Sequence, residues 1–494
     1  MIRLPPLLKP RLTWQYIVCA SIGVYISYCV LFDSPLFASR LPQYTGPYNV
    51  GAIDIEAPCE DRWISNFRSR STGEPAFQLS TVLFTIYYPA TNKHSRPKHR
   101  HYWIPKPISI TGEGYLRFGG VNNFISNSII TGALWGVAGG ITIPGKVDVP
   151  LADVEQAKLL ASQSDYTIQM LPQHKDQLPV LVFSHGFASS RTDYTNYLGE
   201  LASRGYVVAA IEHRDGSGPG SLVIKDGKPT KVAFPIKFSH MAEASDLDAA
   251  DFKQAQLDFR QAEVEETIRV LKAINDGQGD NIYQSNSRNE GKDLQHWKGR
   301  LNVKEITIGG HSFGATLALQ TLKGAPSEAL PLTGGVALDP GKSSGQLNAD
   351  INVPLLVIHS NSWSKQDSVF FGRPHFDVVK ELVEGVDNRG KAAWFLTSLG
   401  TSHPSVTDAP LIEPLLLGLA TGSTIDAKEG VREYFKATEE FLRYQHFKVR
   451  TGLLAQPISH PEYKDPEGDK SVLDMQYQKY WQVHVAPDMA LDAT

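Results

Sequence analysis

Residues 303–322 read VKEITIGGHSFGATLALQTL, a β-branched run followed by a glycine-rich turn and an apolar run. The part at 303–308 has the composition of a buried strand, and the part at 312–322 has the spacing of a helix. Between them the pattern GHSFG, at 310–314, puts glycine where a tight strand-to-helix turn leaves no space for side chains. Such a turn exposes its central hydroxyl beside a helix N-terminus, which favours negative charge. Ser312 is therefore the candidate nucleophile.

The same five-residue pattern occurs a second time, as GKSSG at 341–345, centred on Ser343. This copy leads into QLNA, which has no helical pattern behind it. The simpler interpretation of Ser312 is a turn serine that caps the following helix. Because only the first copy stands between a strand pattern and a helix pattern, the context favours Ser312 over Ser343.

Further strand and helix patterns alternate on both sides of this turn. The alternation predicts an α/β fold with a mostly parallel, doubly wound sheet. We expect the catalytic domain at 45–455, with insertions at 104–150 and 216–245, and a polar, irregular tail at 456–494. The strand patterns lie at 82–88, 179–183, 206–211, 335–338, 354–358 and 392–396, and the helix patterns at 190–204, 251–274 and 369–386.

A serine needs a general base, which is expected to be a histidine after the last core strand. His403 follows the strand pattern at 392–396 by a few residues. His359 also stands at a strand end, but one strand earlier, and it is the fallback. The simpler interpretation of His403 is a surface histidine without a catalytic role. The position of His403 after the last core strand favours the interpretation as the general base.

A carboxylate should orient this base. Asp339 directly follows the strand pattern at 335–338, the first strand after the helix that begins at Ser312. Asp367 and Asp377 are later alternatives. With Asp339, the order along the chain is Ser, Asp, His, which is the order of α/β-hydrolases.

The tetrahedral intermediate of ester hydrolysis needs two backbone N–H donors. One is the N–H of Phe313, directly after the nucleophile. The other is expected in the loop after the strand pattern at 179–183, where Phe187 is the best-placed donor. This chemistry requires neither a metal ion nor a cofactor. The net charge of −4 gives no sign of a nucleic-acid partner.

The N-terminal region contains nineteen residues without charge, WQYIVCASIGVYISYCVLF at 14–32. Basic residues precede this run and Asp33 follows it. The run predicts a transmembrane signal anchor within 1–40, and the basic flank predicts a cytosolic tail and a lumenal or extracellular catalytic domain. The alternative is a signal peptide cleaved near the small residues Ala38 and Ser39, followed by secretion.

The segment 108–150 is rich in glycine, isoleucine and aromatic residues and contains few charges. Its glycines interrupt it too often for a membrane span. Two interpretations stay open: an apolar lid or interfacial surface that contacts lipid, and a segment buried by packing.

Several stretches, in order from Gly46 to His403, resemble the platelet-activating-factor acetylhydrolase family. The strongest are VFSHG with Arg191 and Thr192, VVAAIEHRD at 207–215, GHSFG at 310–314 and ALD at 337–339. Weaker matches are GPYNVG at 46–51 with Asp54, IYYP at 86–89 and WIP at 103–105.

The resemblance implies calcium-independent hydrolysis of the sn-2 acetyl or short acyl ester of phospholipids. It implies Ser312, Asp339 and His403 as the triad, Phe187 and Phe313 as the oxyanion donors, and lipid contact near 115–137. This chain departs from the family pattern in two places: Ala315 replaces a second glycine after the elbow, and PGK at 340–342 replaces a bulky aromatic stretch. The alternatives are a carboxylesterase or polyester hydrolase that acts on other esters, and a non-enzymatic protein with a broken triad.

Overall fold

The centre of the molecule is a ten-stranded mixed sheet. A computed structural model describes residues 13–31, 38–91, 100–153, 177–242, 247–365, 369–463 and 468–487. The strands are β1 (Asn49–Trp63), β2 (Gln78–Ala90), β3 (Lys146–Val147), β4 (Leu178–Ser184), β5 (Val207–Glu212), β6 (Ser221–Lys225), β7 (Lys228–Ala233), β8 (Leu301–His311), β9 (Leu332–Leu338), β10 (Leu355–Ser360), β11 (Val369–Phe370), β12 (Arg373–Pro374), β13 (Ala393–Ser398) and β14 (Trp481–Val485). The order of the strands in the central sheet is β14-β13-β10-β9-β8-β4-β5-β2-β1-β3.

Helices cover both faces of this sheet. In chain order they are α1 (Trp14–Leu31), α2 (Ile108–Gly119), α3 (Phe124–Ala138), α4 (Thr195–Ala202), α5 (Ala249–Ala273), α6 (Gly279–Ser285), α7 (Phe313–Thr321), α8 (Asn361–Lys365), α9 (His375–Asp387), α10 (Ala409–Ile412), α11 (Pro414–Thr421), α12 (Ala427–Phe447) and α13 (Met475–Gln478). Helices α5, α7 and α9 pack on one face, and α4 and α12 pack on the other.

The six central strands, β13, β10, β9, β8, β4 and β5, run parallel to one another. Alternate residues of each strand enter the two opposite cores: Val207, Ala209 and Ile211 of β5 face one, and Val208 and Ala210 face the other. Burial on both faces explains why these strands are continuous apolar runs. The predicted alternation of parallel strands and helices is therefore observed.

Antiparallel strands flank the parallel centre. On one side β2 pairs with β5, and the long strand β1 pairs with β2. On the other side β14 pairs with β13. Strand β14 lies in the segment for which we predicted a polar, irregular tail, so that prediction is wrong for Trp481–Val485. Its polar side chains are buried against partners: His484 Nε2 lies 2.7 Å from Thr397 Oγ1.

The N-terminal helix α1 covers most of the predicted transmembrane segment at 14–32. In the part of the chain that the structure describes, no helix combines the length and the apolar character needed to cross a membrane. The residues of α1 include polar ones such as Gln15, Ser21 and Ser27, which lower its mean hydropathy. The predicted anchor and single-pass location are therefore wrong. Residues 1–12 of the predicted cytosolic tail lie outside the described residues.

The insertion at 104–150 folds into a hairpin of the helices α2 and α3, followed by β3, which joins the edge of the sheet beside β1. Helix α2 packs closely on the loop before β6, because a Cβ at Gly114 would lie 1.1 Å from Pro219 O. The second insertion, at 216–245, contains the antiparallel hairpin β6–β7; its residues 243–246 lie outside the described ones.

Candidate active site

Ser312, Asp339 and His403 each follow the carboxyl end of a parallel strand, namely β8, β9 and β13. Because these ends meet at one edge of the sheet, residues far apart in sequence converge there. His403 Nε2 lies 3.1 Å from Ser312 Oγ, and His403 Nδ1 lies 2.8 Å from Asp339 Oδ2. The Asp339 side chain is 2% exposed and that of His403 is 30% exposed, so the imidazole is accessible while the carboxylate is shielded.

The backbone at Ser312 is strained. Its φ of 57° and ψ of −119° lie outside the helical and extended regions, at the point where β8 ends and α7 begins. The flanking glycines are required by close backbone contacts: a Cβ at Gly310 would lie 2.1 Å from Gly314 O, and one at Gly314 would lie 2.1 Å from Ser184 O. Ser343, in contrast, is exposed in a loop without a following helix.

Two backbone N–H groups near Ser312 have no acceptor among the described residues. The amides on either side of Phe187 are engaged: Gly186 N donates to Tyr194 Oη, and Ala188 N donates to Ser217 O. Phe187 N lies between them without a partner, and Phe313 N, at the first position of α7, also lacks one. Gly186 lies beside the nucleophile, since its Cβ would be 3.2 Å from the Ser312 Cβ. The arrangement can hold an oxyanion.

The buried Arg260 of α5 supports the loop that contains Phe187. Its Nη1 donates to His185 O at 2.7 Å, its Nε donates to Asp215 at 2.9 Å, and its Nη2 donates to Ser217 Oγ at 2.5 Å. The charge of Arg260 is thus compensated by Asp215. The guanidinium connects the loop of His185, which follows β4, to the loop of Asp215 and Ser217, which follows β5. The sequence gives no signal for this contact.

The carboxylate of Asp339 is oriented by Ser360, at the end of β10. Ser360 donates from its backbone N at 2.5 Å and from its Oγ at 2.7 Å. The sequence has no signal for either bond, because they depend on β9 and β10 being neighbours in the sheet. His359 itself is buried, and its ring stacks on His375 at 5.4 Å rather than contacting Ser312. Asp377 lies in the first turn of α9, and Asp367 lies outside the described residues.

His311, the residue before Ser312, is buried next to His403. Its Nδ1 lies 2.8 Å from Tyr194 Oη, and its ring lies 4.4 Å from that of His403. Burial and the neighbouring His403 lower the pKa of His311 well below the ordinary value, so it stays neutral at physiological pH. A neutral His311 adds no charge next to the base.

The loop after His403 is fixed to α4 by Asp408. This carboxylate accepts hydrogen bonds from Thr195 N, Thr195 Oγ1 and Asn196 N, at 2.6–2.8 Å. Burial outweighs these bonds and raises the pKa of Asp408 to about 7. These hydrogen bonds connect the loop that contains His403 to α4, the helix that follows the loop of Phe187.

One group of possible metal ligands occurs among the described residues, and it consists of His311, Asp339 and His403. Their nitrogen and oxygen atoms all lie within 4.8 Å of one another. Both ring nitrogens of His403 are already engaged, one by Ser312 and one by Asp339. A metal in this place would displace those hydrogen bonds, so the geometry favours the triad interpretation.

The family model for "Platelet-activating factor acetylhydrolase, isoform II" matches residues 36–451. The chain belongs to this family. The platelet-activating factor acetylhydrolase of Cavia porcellus is 26% identical over 326 residues, which cover 65% of this chain and 61% of that protein. The enzyme of the same name from Bos taurus is 25% identical over 335 residues, 67% of this chain and 62% of that protein. The match thus spans less than two thirds of the length of these relatives.

A ferulic acid esterase from Streptomyces cinnamoneus has a similar fold. The two structures superpose with a TM-score of 0.50 at 18% identity, over 84% of this chain and 95% of that one. At this identity the likeness concerns the fold alone.

Trp363 of α8 stacks on the imidazole of His403, with ring centroids 4.0 Å apart and planes 12° from parallel. Its Nε1 donates to Pro340 O at 3.0 Å, and Lys342 Nζ donates to Trp363 O at 2.8 Å. In this member of the acetylhydrolase family, the residues at 340–342, which replace the family's bulky aromatic stretch, therefore hold the ring of Trp363 against His403. The other departure, Ala315, lies in the first turn of α7 and is buried in the core.

Proposed function

We propose that this chain is a calcium-independent serine esterase that removes the sn-2 acetyl or short acyl group of platelet-activating-factor-like phospholipids. The observation that supports the reaction type is the unbroken hydrogen-bond chain from Asp339 through His403 to Ser312, next to two unengaged backbone amides. Membership of the acetylhydrolase family and the names of its relatives support the substrate class.

The proposed reaction begins when His403 Nε2 accepts the Ser312 Oγ proton as that oxygen attacks the ester carbonyl. Asp339 stabilises the imidazolium that forms, and the N–H groups of Phe187 and Phe313 bind the oxyanion. The bond to the glycerol oxygen then breaks, and that oxygen takes the proton from His403. A water molecule, activated by His403, finally releases the acyl group from Ser312 as a carboxylic acid.

A direct test compares three substrates with the purified chain in the presence of EDTA. They are a phosphatidylcholine with a short sn-2 acyl group below its aggregation concentration, a long-chain phosphatidylcholine and p-nitrophenyl acetate. We expect turnover of the short-chain phospholipid, at least about tenfold above the long-chain lipid in kcat/KM, with no effect of EDTA. Good turnover of p-nitrophenyl acetate without phospholipid turnover would instead identify a carboxylesterase or polyester hydrolase.

Lipid contact is proposed through the outer side of α3. Its exposed apolar side chains include Phe124, which is 85% exposed, together with Ile125, Ile129 and Trp135. The other side of the hairpin is held to the domain by buried residues such as Ile108 and Ala138. The interpretation as a buried segment applies to the inner side of the hairpin, and we propose the interfacial role for the exposed apolar surface on its outer side.

Replacing Phe124 and Ile125 by serine is expected to weaken binding to phosphatidylcholine vesicles by tenfold or more, because each apolar side chain contributes about 1.5–3 kcal/mol on burial. Vesicle sedimentation measures the effect. Met475→Ser, at an exposed residue of α13, is the matched control and should bind like the wild type. Equal vesicle binding by the double variant and the control would contradict the assignment of this surface.

A further inference from the structure

Lys253 lies in the second turn of α5, at the edge of the candidate active site. Its Nζ is 4.9 Å from the centroid of the Phe187 ring and 5.0 Å from that of the Phe313 ring. These are the two residues whose backbone N–H groups are the proposed oxyanion donors. The Lys253 ammonium group therefore contacts the side chains of both of these residues, although no sequence motif singled it out.

The charge of Lys253 is not paired with a carboxylate of any described residue. Its Nζ donates to the neutral Gln256 Oε1 at 3.1 Å. The neighbouring Arg260 differs, because its guanidinium contacts the Asp215 carboxylate at 2.9 Å. Burial lowers the pKa of Lys253 from its ordinary value, which means that the ammonium has lost part of its hydration. An anion bound next to it would compensate for this loss.

The proposed substrate has its anion within reach of this position. Five bonds separate the sn-2 carbonyl carbon of a glycerophospholipid from the phosphorus atom, a span of about 6 Å. A carbonyl held by the amides of Phe187 and Phe313 would thus place the phosphodiester about 6 Å away, within the reach of a side chain that packs on the rings of the same two residues, as Lys253 does. Lysine binds phosphate as a compact point charge on a flexible stem.

We propose that Lys253 binds the phosphodiester of the substrate and thereby selects phospholipids over neutral esters. The inference rests on the proposed function and adds a specificity-determining residue to it. When Lys253 holds the headgroup phosphate, the sn-2 ester of the same molecule is oriented at Ser312. The triad itself performs the same chemistry on any ester that reaches Ser312.

The test measures the ratio of two kcat/KM values, one for a short-chain phosphatidylcholine and one for the diacylglycerol with the same acyl groups. Both substrates are kept monomeric, so that vesicle surface charge has no influence. Lys253→Met is expected to lower this ratio about tenfold, since a charge-assisted hydrogen bond is lost only with the phospholipid. Lys253→Arg should restore most of the ratio. Lys272→Met, on the same helix, should give the wild-type ratio.

The outcomes separate this inference from the proposed function. A wild-type enzyme that prefers the phospholipid, with a Lys253→Met ratio equal to the wild type, overturns the role of Lys253 alone. A wild type without phospholipid turnover overturns both. Turnover of the diacylglycerol reports that each variant is folded, and Lys253→Gln provides a second neutral variant. Inhibition by glycerophosphocholine, which has the phosphodiester but no ester, should also weaken about tenfold in the neutral variants.

Discussion

Ser312→Ala is expected to reduce kcat for every ester substrate by roughly 10⁶, because removal of a triad nucleophile leaves only binding and oxyanion stabilisation. Among the described residues, Ser312 has the hydroxyl that lies within hydrogen-bond distance of His403 Nε2, at 3.1 Å. Steady-state kinetics with p-nitrophenyl acetate and with a short-chain phosphatidylcholine measure the loss.

Ser343→Ala is the matched control for this prediction. Ser343 stands in the same five-residue pattern, but it is exposed in a loop, and its variant should keep wild-type kcat. Loss of activity in Ser343→Ala together with retention in Ser312→Ala would reverse the assignment of the nucleophile.

His403→Gln is expected to lower kcat by roughly 10⁴–10⁶, since glutamine keeps a hydrogen-bonding group but does not take up the Ser312 proton. His359→Gln, the corresponding change at the other histidine at a strand end, should stay within a few-fold of the wild type. Active-site titration corrects each rate for the folded fraction, which is necessary because His359 is buried. A large loss of corrected kcat in His359→Gln with little change in His403→Gln would contradict the assignment.

The central part of the fold could be predicted because its strands are buried on both faces and stand out as apolar runs. The same property made the strand-to-helix context of Ser312 visible, and Asp339 followed from its place at the end of β9. Strand β14 could not be found in this way. Its buried residues Gln482 and His484 read as polar surface in the sequence, and their burial depends on partners such as Thr397, which is 87 residues away from His484.

The support around the triad could not be predicted for a similar reason. Ser360 contacts Asp339, and Trp363 stacks on His403, only because β9, β10 and β13 end at the same edge of the sheet. A serine at a strand end and a tryptophan in a short helix have many uses, and no spacing rule links them to a triad. Lys253 illustrates the same point, since its significance comes from the two aromatic rings it contacts.

The error at the N-terminus has a physical explanation. The segment at 14–32 was interpreted as a membrane span because it contains no charge, but absence of charge is a weaker criterion than length and hydropathy together. Helix α1 contains polar side chains along its length, among them Gln15, Ser21 and Ser27, which lower its mean hydropathy.

Covalent trapping of the reactive serine identifies the nucleophile without relying on a substitution. A fluorophosphonate reacts with an activated serine, whose Oγ displaces fluoride and forms a stable phosphonyl ester. Tryptic cleavage separates the two candidate serines, because Ser312 lies in the peptide 305–323 and Ser343 in the peptide 343–365. We expect one adduct, on Ser312 in the peptide 305–323, with loss of activity in proportion to labelling. Inactivation with the adduct on Ser343, or on any residue other than Ser312, would contradict it.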